Sequence, residues 1–174
     1  MGEIAREAGV SKGTLYVYFD SKEALFTALV EETKRHSAER LVPLDSRGDD
    51  VAAALTDFAR ALILRMTHPQ HVQLLRMVVA AAERIPGPAR SFYAAGPAHG
   101  VALVAAYLRD LTAAGRMAVA DPERAAWTFL SILLHPLMTG MLLGGAPPPD
   151  DAAARDMAAR AVETFLAAYP LPRP

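Results

Sequence analysis

The chain runs to 174 residues, long enough for one domain or for a small domain joined to a larger one. Hydrophobic residues make up 52% and cysteine is absent, which allows a sizeable core and excludes disulfide scaffolds, zinc–thiolate clusters and a cysteine nucleophile. Net charge is −1 and residues 1–40 hold six Lys/Arg against seven Asp/Glu, so charge alone does not announce a nucleic-acid partner and a motif has to carry that case.

The opening residues, with Glu3, Arg6 and Glu7 among apolar neighbours, read as an amphipathic helix over 2–8 rather than as a signal peptide. Gly9 suits a left-handed stop. A short helix follows Val10 and Ser11 and ends about Tyr18. Asp20 and Ser21 are both acceptable N-caps, and Asp20 with Glu23 has capping-box spacing. The helix they open carries Leu25, Phe26, Leu29 and Val30 as its apolar stripe, with Glu31, Glu32, Lys34 and Arg35 on the solvated side, and fades near Leu41. Pro43 to Asp50 reads as a loop, so two domains are expected, over 1–42 and 49–170.

Beyond the loop the pattern predicts helices over about Asp50–Met66, Pro69–Arg84, Ala89–Ala95, Val101–Ala114, Pro122–Leu143 and a last one ending at Tyr169. Pro86-Gly87-Pro88 and Gly96-Pro97 are expected breaks, Gly115 a stop, and Asp121 and Asp150 or Asp151 caps. That makes about nine helices and no strand, an all-α fold. Ala125–Ala146 has 22 residues without Asp, Glu, Lys or Arg, long enough to span a bilayer. Ser131, His135, Pro136, Thr139 and three glycines interrupt it, and the reading taken is a core or interface helix with no membrane.

Function concentrates in the first 30 residues. Ala5, Gly9 and Leu15 have the spacing of a helix-turn-helix: alanine lets two helices approach, glycine supplies the tight turn, and leucine anchors the second helix. Ile4, Ala8 and Val10 complete that small core, and Ser11, Lys12, Gly13, Thr14, Tyr16 and Val17 are left on the outer face. Such a helix can enter a DNA major groove by its N-terminal end.

The segment EIAREAGVSKGTLYVYFDSKEALF resembles the DNA-binding signature of the TetR family of transcriptional regulators, from Glu3 to about Leu29. The later stretch LLRMVVAAAERIPGPARSFYAAGP, with the helices after it, is similar to the AefR/AcrR-like branch of the family's ligand-binding and dimerisation domain. The resemblance implies that Ser11, Lys12, Gly13, Thr14, Tyr16, Tyr18 and Lys22 meet operator DNA, and that Leu15, Phe19 and Leu25 are structural. Family members usually carry one more helix before this motif. Its lack here is expected to expose part of Ile4, Ala8, Leu15 and Phe19, and to weaken operator binding relative to an N-terminally extended form.

The resemblance further implies an effector within the C-terminal helices; the lack of a buried charge cluster there suggests a small, uncharged apolar one, and the sequence offers Phe58, Leu62, Met66, Met77, Phe92, Tyr93, Leu103, Tyr107 and Trp127 as its lining, with Leu74, Val78 and Leu130 beside them. It also implies a homodimer through Val101–Ala114 and Ala125–Leu143, using Ala102, Ala105, Ala106, Gly140 and the apolar run from Ile132 to Leu143. No cofactor, metal or enzymatic step is expected, and His68 and His71 read as a capping or solvated pair. The reading is a cytoplasmic, ligand-relieved repressor. Its competitor is a helical dimerisation and ligand-binding module that no longer reads DNA.

Overall fold

In the computed structural model the chain is described over residues 1–38 and 44–172, with side chains left aside at 33–38. The described residues form nine α-helices: α1 Gly2–Glu7, α2 Lys12–Tyr18, α3 Lys22–Ala38, α4 Val51–Met66, α5 Pro69–Ala81, α6 Pro86–Tyr93, α7 His99–Ala113, α8 Pro122–Leu142 and α9 Asp151–Ala168. The fade near Leu41, the loop start at Pro43 and the domain boundary after residue 42 lie outside the described residues.

Short polar side chains set the helix starts. Ser11, Asp50, Asp121 and Asp150 each accept a backbone N–H from the first turn, at 2.8–3.0 Å. Ser21 rather than Asp20 caps α3, its hydroxyl accepting from the Ala24 N–H at 3.0 Å. Pro69 and Pro122 open α5 and α8, where a missing N–H costs nothing. Gly9 and Gly115 close α1 and α7 at φ +67 and +68, a conformation that penalises any side chain.

Of two predicted breaks, one stands and one does not. Helix α5 ends at Ala81, and Pro86 opens α6, three residues before the expected start at Ala89. Gly96-Pro97 does not interrupt the chain: Ala94–Ala98 is a π-helical segment with Pro97 inside, and α6 runs through it into α7. The wider turn accommodates a proline that lacks an N–H and would crowd an α-helical carbonyl.

The main core lies among α4, α7, α8 and α9, where Leu55, Phe58, Ile63, Leu108, Phe129 and Phe165 are fully buried. Phe165 packs against Phe129 and Tyr169 in tilted arrangements, with ring centroids 5.1 and 4.8 Å away. Arg116 reaches from the end of α7 to the carbonyls of Ser46, Gly48 and Asp49 and so holds the loop that leads into the Asp50 cap. Helix α8 is long and apolar enough to cross a membrane by length and composition. Here Ala125, Ala126, Phe129, Leu130, Leu133 and Met141 are turned into the bundle, against α7 and α9.

A second, smaller core seats α3 on the body. Val30 is buried with Leu74 and Val78, and Phe26, Ala89 and Phe92 pack around them. Through this packing the N-terminal helices connect to α5 and α6. The helix-turn-helix itself is open. Only Ala5 is buried there, while Ile4, Leu15, Phe19 and Leu25 are half-buried and Ala8 and Val10 are exposed.

Candidate functional sites

Helix α2 buries none of its residues; Leu15 alone turns half inward. Ser11, Lys12, Gly13, Thr14, Tyr16, Tyr18 and Lys22 are all exposed, with Tyr16 at 46% and Tyr18 at 75%. The Ser11 hydroxyl has a structural duty as the α2 cap and lies 2.7 Å from the Thr14 hydroxyl, so the two present one polar pair. The Lys12 ammonium sits 5.9 Å from the centre of the Tyr16 ring, one helical turn away. Lys22 stands at the start of α3, where helix dipole and ammonium both favour an anion. No acidic residue lies on α2. The face therefore offers two ammoniums, two phenols and two hydroxyls to a surface rich in phosphate.

A cavity of about 430 Å³ opens in the body between α4, α5, α8 and the π-helical segment. Of the lining predicted from sequence, Phe58, Leu62, Met66, Phe92 and Trp127 are on its wall, together with Leu130. Met77, Tyr93, Leu103 and Tyr107 are elsewhere. Met77 and Tyr93 point outward because each lies one helical step off the inward row of its helix. Leu103 packs half-buried against the main core, and Tyr107 is buried inside it, where burial pushes its phenol pKa up. Leu74 and Val78 belong to the small core under α3.

The wall also holds polar groups outside that predicted lining: Arg65, His71, Ser131, His135 and Thr139. Three come from one face of α8, where Trp127, Ser131, His135 and Thr139 recur every four residues. That period is the available signal, but in sequence these residues look like interruptions of an apolar helix. The His71 ring lies 5.9 Å from Phe92 at 33°. Burial, then the charge of Arg65 and then His68, hold its pKa below the ordinary histidine value, so it is neutral near pH 7. His68 caps α5, its Nδ1 accepting from the Gln70 N–H at 3.4 Å. Among the described residues no group of three or more His, Cys, Asp or Glu could hold a metal.

Val30 is both a cavity wall residue and the centre of the small core under α3. The π-helical segment lines the cavity with Ala95, Gly96 and Pro97 and also touches α3. The cavity wall thus includes α3, the helix that carries Lys22 at its start.

The helices expected at a dimer face divide differently. Val101, Val104, Ala105, Tyr107, Leu108 and Leu111 turn into the chain's own core, leaving Ala102 and Ala106 exposed on α7. Gly140 is small for an internal reason. A Cβ there would meet the Ala146 Cβ at 3.2 Å, and its carbonyl accepts from the Gly145 N–H at 2.8 Å. Leu143, at the end of the apolar run, is exposed.

Comparison with known proteins assigns both parts. The family model for bacterial regulatory proteins of the tetR family matches residues 1–29. The model for the C-terminal domain of AefR-like transcriptional repressors matches residues 53–170, more than half of the chain. A solved TetR-family transcriptional regulator from Mesorhizobium loti is similar with a TM-score of 0.86 and 31% identity, over 97% of this chain and 85% of that one. The flavonoid-responsive regulator FrrA is similar with a TM-score of 0.78 and 33% identity, over 100% of this chain and 87% of that one. An HTH-type transcriptional regulator of Mycobacterium tuberculosis is 56% identical over 45 residues, a match spanning 25% of this chain and 22% of that protein.

Proposed function

The chain belongs to the TetR family of bacterial transcriptional regulators, and on that premise we propose that it is a homodimeric repressor that binds operator DNA and is released by a small effector with an apolar body. The observation that carries this reading is the α2 face: Ser11, Lys12, Gly13, Thr14, Tyr16 and Tyr18, all exposed at the cap of a helix that buries nothing or on it, together with the exposed Lys22 at the start of α3. That geometry gives the alternative, a body that no longer reads DNA, no support of its own.

Two copies related by a two-fold axis present two such faces to half-sites about one helical turn, ~34 Å, apart. We place the pairing surface on the outward residues of α7 and α8, with Ala102, Ala106 and Leu143 among them. The effector occupies the cavity against Phe58, Phe92 and Trp127. The flavonoid-responsive neighbour supports a ring-rich body. Occupancy acts on the wall residue Val30 and on the π-helical segment, and through α3 on the spacing of the two faces. An effector with unequal affinity for two spacings shifts the population between them. The work is done by binding alone, without a cofactor or an enzymatic step, and a DNA-bound role puts the protein in the cytoplasm.

Tyr16→Ala and Lys22→Ala each lower operator affinity about tenfold, the scale expected when each head gives up one charge-assisted hydrogen bond or one aromatic interaction with DNA. Fluorescence anisotropy reads the affinity and light scattering the mass, which stays that of the dimer. Unchanged affinity in both variants contradicts the roles given to these residues.

A further inference from the structure

Resting on the reading of the cavity as the effector site, we propose that it selects a ring-bearing molecule with a keto or hydroxyl oxygen on one edge, held by the Ser131 hydroxyl and the His135 ring of α8. Both side chains are exposed and line the cavity one helical turn apart, on the row that begins at Trp127. Phe58, Phe92 and Trp127 supply rings for the body of such a molecule, and Leu62 and Leu130 aliphatic chains.

Ser131 stands apart from the hydroxyl residues near it on the helix. Thr128 and Thr139 donate their hydroxyls to the carbonyls of Arg124 and His135, both at 2.9 Å. Among the described residues, neither the Ser131 hydroxyl nor the His135 ring has a hydrogen-bond partner in the protein. A hydrocarbon that fills the cavity covers both groups and returns nothing for the water it displaces. A keto or hydroxyl oxygen returns a hydrogen bond, because a hydroxyl has a proton to give and an imidazole has at least one N–H. The other polar groups on the wall have duties already. Thr139 donates to its own helix, Arg65 has an interaction partner, and the His71 ring packs against Phe92.

Two dyes that share one ring system test the proposal: propionyl-dimethylaminonaphthalene, whose keto oxygen accepts hydrogen bonds, and its parent dimethylaminonaphthalene, which lacks that oxygen. Their binding to the full chain is followed by fluorescence titration. Gly100→Phe marks the cavity. An added Cβ there meets the Leu130 Cδ1 at an ordinary 3.8 Å, and the rest of the ring fills the space. This variant removes saturable binding of both dyes, and Leu134→Trp, on the α8 wall, serves where it does not fold. Ser131→Ala and His135→Phe each weaken the keto dye about fivefold, the scale of one hydrogen bond, and the double variant weakens it about twentyfold. The parent dye stays within about twofold in all three. In the double variant the emission of the bound keto dye moves to shorter wavelength, because its oxygen has lost its donors.

If the cavity binds both dyes and the Ser131 and His135 variants change them equally, or leave the emission of the bound keto dye where it was, the proposal is overturned and the effector cavity stands. If the cavity-filling variants leave both dyes bound, or neither dye binds wild type saturably, the cavity reading itself fails and the proposal goes with it.

Discussion

Replacing Phe165 by alanine lowers the unfolding free energy by about 3–5 kcal/mol. Phe165 is 0% exposed on α9 and packs against Phe129 of α8 and Tyr169. It closes the main core where α9 lies against α4 and α8. Truncation leaves a void roughly the size of a ring, and three fully packed helices have little freedom to collapse into it. Two ring–ring interactions go with it, each worth about 0.5–1.5 kcal/mol beyond area burial. Urea unfolding followed by circular dichroism at fixed protein concentration reads the change, since the proposed dimerisation would make apparent stability concentration-dependent. A drop of less than about 1.5 kcal/mol contradicts this placement of Phe165.

The second large effect acts on DNA without touching the DNA-facing residues. Val30→Asp puts a carboxylate into the small core of Leu74, Val78 and Phe92 that seats α3. Val30 is 1% exposed, and an unpaired charge there costs several kcal/mol unless the helix lifts away. The main core shares none of these buried residues, so the body keeps most of its thermal stability. In the proposed dimer the two reading heads then lose their fixed spacing. Affinity for a full operator then falls about a hundredfold, because the second head no longer binds at high effective concentration. Affinity for a single half-site stays within about threefold, since α2 is unaltered. A full operator bound as tightly as by wild type contradicts the coupling assigned to α3. So does a half-site that weakens as much as the operator.

Much of the fold is legible because local chemistry decides it. Asp50, Asp121 and Asp150 cap helices that tertiary packing then only has to orient, and Pro69 and Pro122 occupy the first helical turn, where a missing N–H costs nothing. Gly9 and Gly115 sit where positive φ is needed. Local chemistry fails at Gly96-Pro97. The same pair that ends an isolated helix is carried here in a π-helical turn supported by α3 and α7.

The two candidate sites differ in the same way. The α2 face is contiguous in sequence, so one motif names its members together. The cavity is assembled from several helices, and which row of each faces it depends on how they are rotated against one another. Gly100, Leu103 and Tyr107 share one face of apolar α7 at i, i+3 and i+7, yet Gly100 meets the cavity while the other two, one and two turns further along, meet the core. His135 reads in sequence as an interruption of an apolar helix, and only the packing of α4 and α8 brings it to one space with Arg65.

The central claim is that the α2 face reads DNA, and fluorescence anisotropy on DNA from just upstream of the chain's own gene tests it most directly. The titration is run against a shuffled duplex of equal composition, at several salt concentrations. Binding at least about a hundredfold tighter to the upstream DNA than to the shuffled duplex, weakening steeply as salt rises, is the predicted result. Equal affinity for the two duplexes, in wild type and in Tyr16→Ala alike, contradicts it.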